Sequence, residues 1–192
     1  VPTTQGSCTA TCTAAACPSF LACCGGHRAL PYVDGDGVYV GRLQAVLAPI
    51  LAPDGTLVSA QRIYADRSLA ERKKVLPPAG TIKGGAIRLF DVSDEIGVGE
   101  GVETCIAAHE LFGLPTWATI SADNLVLFDP PAGVTRVTVF GDNDENFVGQ
   151  ASAYALARRL ALKGYDVAVE IPTTPGTDWL DALADRRLRG AA

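Results

Sequence analysis

The stretch "TRVTVFGDND", Thr135 to Asp144, decides how the chain is read. Val137, Val139 and Phe140 belong to a short apolar run rich in β-branched and aromatic residues, the pattern of a buried strand, and Gly141 ends it. Asp142 and Asp144 follow at once. Carboxylates gathered without a counter-charge repel, and one of them takes up a proton unless a cation neutralises the group. Two readings are open. Either the aspartates satisfy backbone N–H groups at the start of the next helix, or they share a divalent ion such as magnesium, which prefers hard oxygen ligands.

Outward from that stretch, strand and helix patterns alternate. "EIGVGEG" (95–101) closes an apolar run with glycines, "VETCIAAHELFG" (102–113) has helical spacing, and "TWATI" (116–120) is a strand. Residues 123–128 are too short a run for periodicity to separate turn from helix. A helix spans "NFVGQASAYALARRLALKG" (146–164), with Asn146 as its expected cap and Gly164 as its end. "YDVAVEI" (165–171) is the next strand and "TDWLDALADRRL" (177–188) the last helix. This alternation predicts an α/β fold with a mostly parallel sheet flanked by helices.

In such sheets functional groups collect beyond the carboxyl ends of the strands. Glu100 follows the first strand of this half and Asp142 and Asp144 the third, so all three project from one edge. Asp178 follows the fourth and is the further candidate; Asp181 reads equally well as a first-turn acid complementing the helix dipole. Glu103 reads as a helix-surface residue and His109 as a packed core histidine outside the site. "DNDEN" is no calcium loop, because Phe147 and Ala153 stand where glycine and glutamate are required. "GVGEG" has the wrong spacing for a dinucleotide fingerprint, and neither a G-x-S-x-G nor a P-loop is present.

Upstream, residues 34–66 read as a smaller β-rich unit, with strands at 38–41, 45–51 and 57–64 and Asp-Gly turns at 36–37 and 54–55. Residues 62–88 then carry seven cations, Arg62, Arg67, Arg72, Lys73, Lys74, Lys83 and Arg88, against Asp66 and Glu71. A solvated loop and a phosphate-facing surface are both open readings of such a run. The overall charge of −5 argues against a surface that wraps nucleic acid everywhere. No apolar run is long enough to span a membrane. Five of the six cysteines (Cys8, Cys12, Cys17, Cys23, Cys24) fall in the first 24 residues, but their spacings fit no zinc ribbon or finger, so residues 1–29 read as a disordered leader without zinc. The chain holds no methionine and begins at Val1, and a longer parent protein is expected.

"VGEGVET" (98–104), "VFGDNDEN" (139–146) and "GTDWLDAL" (176–183), in that order, resemble the Toprim domain shared by DnaG-type primases, topoisomerases, RecR proteins and certain nucleases. The resemblance covers roughly residues 94–185 and is nearest to the phage and plasmid primase branch. "GRLQAVLAPILAPDGTLVSAQRIY" (41–64) and "ERKKVLPPAGTIKGGAIRLF" (71–90) are similar to the segments that lead into Toprim in those enzymes. The resemblance implies a leader (1–29), a β-rich basic subdomain (30–93) and a Toprim domain (94–192). It implies a cytoplasmic bacterial, phage or plasmid primase that makes short RNA primers on single-stranded DNA from NTPs, with a replicative helicase as partner. Glu100, Asp142 and Asp144 would be catalytic and, with Asp178, would hold Mg2+ or Mn2+; Arg62, Lys73, Lys74 and Lys83 would line a template or nucleotide groove. The zinc module and the trailing helical subdomain of such primases have no recognisable counterpart here. A Toprim nuclease and a non-catalytic nucleic-acid-binding module are the alternatives, and a topoisomerase is the least favoured.

Overall fold

The structure, a computed structural model, describes residues 25–190. Four strands come first: β1 (Gly25–Val33), β2 (Tyr39–Leu51), β3 (Leu57–Tyr64) and β4 (Lys73–Val75), an antiparallel sheet in the order β1-β2-β3-β4. After them come β5 (Ile87–Arg88), β6 (Glu95–Gly99), α1 (Val102–Phe112), β7 (Thr116–Ala118), α2 (Ala122–Val126), β8 (Arg136–Phe140), α3 (Val148–Leu162), β9 (Asp166–Glu170) and α4 (Trp179–Gly190). Their sheet runs β5-β7-β6-β8-β9, parallel throughout except for β5. This is the α/β fold expected, with a mostly parallel sheet and a β-rich sheet ahead of it.

Strand order explains where a site can form. The chain leaves β6 for β7 on one side, then crosses to β8 on the other, so the carboxyl ends of β6 and β8 flank the point where the winding reverses. Layers of apolar side chains close both faces of this sheet. Ile96, Val98, Val137 and Val139 meet Leu156 and Leu160 of α3 on one face. Phe140 meets Ala107 and Ala108 of α1 and Trp179 and Leu183 of α4 on the other.

Several sequence expectations change at the N-terminal sheet. The strands expected at 38–41 and 45–51 merge into the single strand Tyr39–Leu51, and β1, which was not expected, pairs with it from Gly25 onward. Residues 25–29, read as leader, are therefore strand. β1 is an edge strand with one side open to solvent, so its sequence "GGHRALPYV" lacks apolar alternation, and Pro31 is tolerated because an edge leaves N–H groups unpaired anyway. The cysteine cluster lies outside the described residues. Among the described residues, no helix is long and apolar enough to cross a membrane.

Candidate active site

Four half-buried carboxylates, Glu100, Asp142, Asp144 and Asp178, lie just beyond the ends of β6 and β8 and before α4, near enough for Asp142 to feel the charges of the other three. Glu100 leaves β6 directly, and its carbonyl accepts the N–H of Ile120 at 2.8 Å. Ile120 takes φ +69°, an outlier for a β-branched residue, so backbone strain sits directly beside Glu100. Asp142 and Asp144 leave β8, and Asn143 between them ties their loop to the segment before α4. Its N–H donates to the Thr177 carbonyl at 3.0 Å, its carbonyl accepts from Gly176 N at 2.7 Å, and its side-chain amide donates to the Pro172 carbonyl at 2.7 Å. That clamp brings Asp178 toward Asp142.

The two aspartates of the loop differ in kind. Asp144 Oδ2 accepts the N–H of Gly149 in the first turn of α3 at 2.8 Å, so the helix-start reading holds for this oxygen. Only glycine fits at 149: a Cβ there would lie 2.6 Å from the Asp142 carbonyl oxygen and 3.0 Å from Asp144 Oδ2. Asn146, expected as the cap, accepts from Val148 N at 3.2 Å, while Phe147 occupies the cap position with φ +63°. Asp142 has no such duty. Its Oδ1 is buried without a hydrogen-bond donor.

Electrostatics couple these groups. Burial first, then the charges of Asp178, Glu100 and Asp144, push the Asp142 carboxyl up to about 7, with Lys73 opposing. Glu100 is held above the ordinary carboxylate range by burial and then by Asp144, and Lys73 again opposes. A buried acceptor with no donor, surrounded by like charges, is the arrangement a hard cation relieves. Among the described residues, no three His, Cys, Asp or Glu side chains are close enough to hold a metal ion by themselves. Magnesium needs no such cage, because it keeps several waters and uses one or two carboxylates together with substrate phosphates. The hard oxygen donors of Asp142, Asp144 and Asp178 are of the chemical kind that divalent ions take.

Asp178 has a second role. Its Oδ1 accepts from Asp181 N at 3.0 Å and Asp181 Oδ2 accepts from Asp178 N at 3.2 Å, a reciprocal cap on α4. Asp181 is thus a helix-start residue, and Asp178 both caps and faces Asp142.

The basic candidates separate. Lys73 and Lys74 are neighbours on a strand, so they point to opposite faces. Lys73 lies opposite Ile63 and turns toward α1; Lys74 lies opposite Arg62 and turns away. Lys74 pairs with Glu71 at 2.5 Å and sits 5.3 Å from the Tyr32 ring centroid. Arg62 donates to the Pro31 carbonyl at 3.3 Å and lies over Tyr64. Lys83 is exposed on the loop before β5. Of the four, the structure brings Lys73 to the acids.

Sequence reasoning did not foresee the tie that Asn143 makes or the ion pairs of Glu103. Glu103, read as a helix-surface residue, lies on α1 and pairs with Lys73 at 2.5 Å and with Arg72 at 3.2 Å. His109 is packed as expected, stacked on Phe90 at 3.8 Å, with Nδ1 2.6 Å from the Leu114 carbonyl.

Residues 95–188 match the family model described as Toprim domain, and this part of the chain is a Toprim domain. Together with the sheet ahead of it, this domain shares its fold with part of solved primase domains. A DNA primase domain from Pseudomonas aeruginosa superposes with a TM-score of 0.52 at 18% identity, over 84% of this chain and 55% of that one. The primase fragment of the bacteriophage T7 primase-helicase protein gives 0.53 at 17% identity, over 78% and 61%. A DnaG primase catalytic domain solved bound to single-stranded DNA gives 0.55 at 16% identity, over 84% and 56%. The chain thus spans little more than half the length of these structures. A search of curated protein sequences finds no match.

Proposed function

We propose that this chain is the catalytic part of a DnaG-like primase, joining ribonucleotides into short RNA primers on single-stranded DNA in the cytoplasm of a bacterium or during phage or plasmid replication. The observation that carries the proposal is the buried, donor-less Oδ1 of Asp142 amid Glu100, Asp144 and Asp178. Asp142 and Asp144, supported by Asp178, would hold Mg2+ or Mn2+. When bound, such an ion neutralises the triphosphate and favours in-line displacement. Glu100 is half-buried with its carboxyl shifted upward, which suits it to take a proton from an attacking 3′-hydroxyl or to complete the ligand set. Lys73 would meet the incoming phosphates. Arg62, Lys74 and Lys83 would serve the template strand instead, outside the acidic pocket. The likeness to a primase-helicase protein suggests a replicative helicase as partner.

The test supplies single-stranded DNA, labelled NTPs and Mg2+ or Mn2+, and resolves products and template on one gel. Labelled oligoribonucleotides that vanish in Asp142→Ala are expected. Shortened template without new RNA would favour a nuclease, and template binding with no reaction would favour a binding module.

A further inference from the structure

Lys73 is a flexible cation on a three-residue edge strand, and its charge reaches Glu100 and Asp142. A side chain built on Gly101 would lie 3.7 Å from Lys73 Nζ, so the ammonium rests against the backbone next to Glu100. Unrestrained, a lysine in that position would fold onto Glu100 or Asp142, both of which already feel its charge. Yet Asp142 Oδ1 has no donor. The Lys73 ammonium is engaged elsewhere: Glu103 Oε2 holds Lys73 Nζ at 2.5 Å, and Arg72 Nη2 lies 3.2 Å from Glu103 Oε1. Glu103 is only about one quarter exposed, its side chain showing 27% of its surface. These paired cations keep Glu103 ionised against the pull of burial.

We propose that Glu103 is a positioning residue: it restrains the Lys73 ammonium at the rim of the acidic pocket, keeping it out of the space a divalent cation needs while presenting it to that cation's polyphosphate ligand. The inference rests on the cation-site reading above. Its distinctive consequence is a reversal of sign. Removing the restraint alone harms cation binding, whereas removing restraint and lysine together does not.

Mn2+ binding to the full chain, followed by electron paramagnetic resonance, supplies a readout independent of turnover. Glu103→Gln is expected to weaken Mn2+ binding about tenfold, the effect of one poorly screened opposing charge. Glu103→Gln combined with Lys73→Met is expected to return Mn2+ affinity to the parent value. Binding of a labelled NTP in the presence of Mn2+ is expected to stay weak in both, because neither presents the ammonium at the rim. Should Glu103→Gln bind Mn2+ as the parent does, or should the double variant stay as weak as the single one, Glu103 is only a structural latch and the inference is overturned. Absence of Mn2+ binding in the parent would overturn the cation-site reading and the inference with it. If Glu103→Gln does not fold, judged by near-UV circular dichroism, Lys73→Met alone decides: undiminished Mn2+ affinity with weakened NTP binding is expected, and a loss of Mn2+ affinity overturns the inference.

Discussion

Among the described carboxylates, Asp142 is the one whose environment most opposes its own charge, and that opposition has a measurable sign. An unfolded aspartate titrates near ~3.9, whereas burial and three neighbouring carboxylates carry this one to about 7. Between those values the folded state binds more protons than the unfolded state. Stability in chelator should therefore fall as pH rises through that window, with Glu100 adding in the same direction. The loss is bounded by roughly 4 kcal/mol, from about 1.4 kcal/mol per pH unit. Asp142→Asn should flatten the slope and melt higher than the parent at pH 8 in EDTA. Added Mg2+ should raise the parent's melting temperature but leave that variant unchanged; thermal melts across pH with and without Mg2+ measure both. Phe147 offers a second case of local strain. It combines φ +63° with an exposure of 69% for the residue and no capping hydrogen bond from its side chain. Phe147→Gly removes a left-handed penalty without removing core contacts, so urea denaturation should show a gain of about 0.5–1 kcal/mol.

Helix starts decide how the acidic residues divide between architecture and chemistry. Asp178 and Asp181 cap α4 reciprocally, but only Asp178 also faces Asp142. Asp181→Ala should cost about 1 kcal/mol, as caps do, and leave Mg2+-dependent stabilisation intact. Asp178→Ala should cost a similar amount and also diminish the Mg2+-induced rise in melting temperature. Equal Mg2+ responses in the two variants would confine Asp178 to capping. The same elements show what the sequence could and could not convey. β6, α1, β8, α3, β9 and α4 were legible because buried parallel strands and amphipathic helices leave strong periodic marks, and because Glu100 and the Asp-x-Asp pair lie at strand ends, where strand order alone aims them. β1 left no mark because an edge strand need not alternate. The ion pairs of Glu103 could not be foreseen because its partners, Arg72 and Lys73, lie 31 and 30 residues earlier, at and just before β4 of the other sheet, and side-chain pairing across such distances is invisible to local pattern. Lys73 and Lys74 looked equivalent as a charge run, although the strand's period of two sends them to opposite faces.

The two sheets share one core, and this governs how the molecule as a whole responds to damage. Ala48, Ile50, Val58 and Ile63 of the N-terminal sheet pack with Ile87, Leu89, Val102, Cys105 and Ala118 of the Toprim half. Leu51 and Ala86 exchange both backbone hydrogen bonds, at 3.0 and 2.9 Å. Arg88 of β5 donates to the carbonyls of Ala52 and Pro53 at 3.2 Å while its guanidinium lies 4.6 Å from the Trp117 ring centroid. A joint built from buried apolar contact, backbone pairing and a cation over an aromatic ring couples the delivery of Lys73 to the placement of Glu100. The expected behaviour is one cooperative unfolding transition. Ile50 is fully buried in the N-terminal sheet, and Ile50→Ala should cost about 2–5 kcal/mol. Both tryptophans, Trp117 and Trp179, lie in the Toprim half, so their fluorescence reports on that half alone. If the halves unfold together, denaturant titration of Ile50→Ala followed by tryptophan fluorescence should show the full loss and coincide with far-UV circular dichroism. A fluorescence midpoint that stays at the parent value while the circular dichroism splits into two steps would mean that the halves are energetically independent, and that Lys73 reaches the acidic pocket without being held there by the fold.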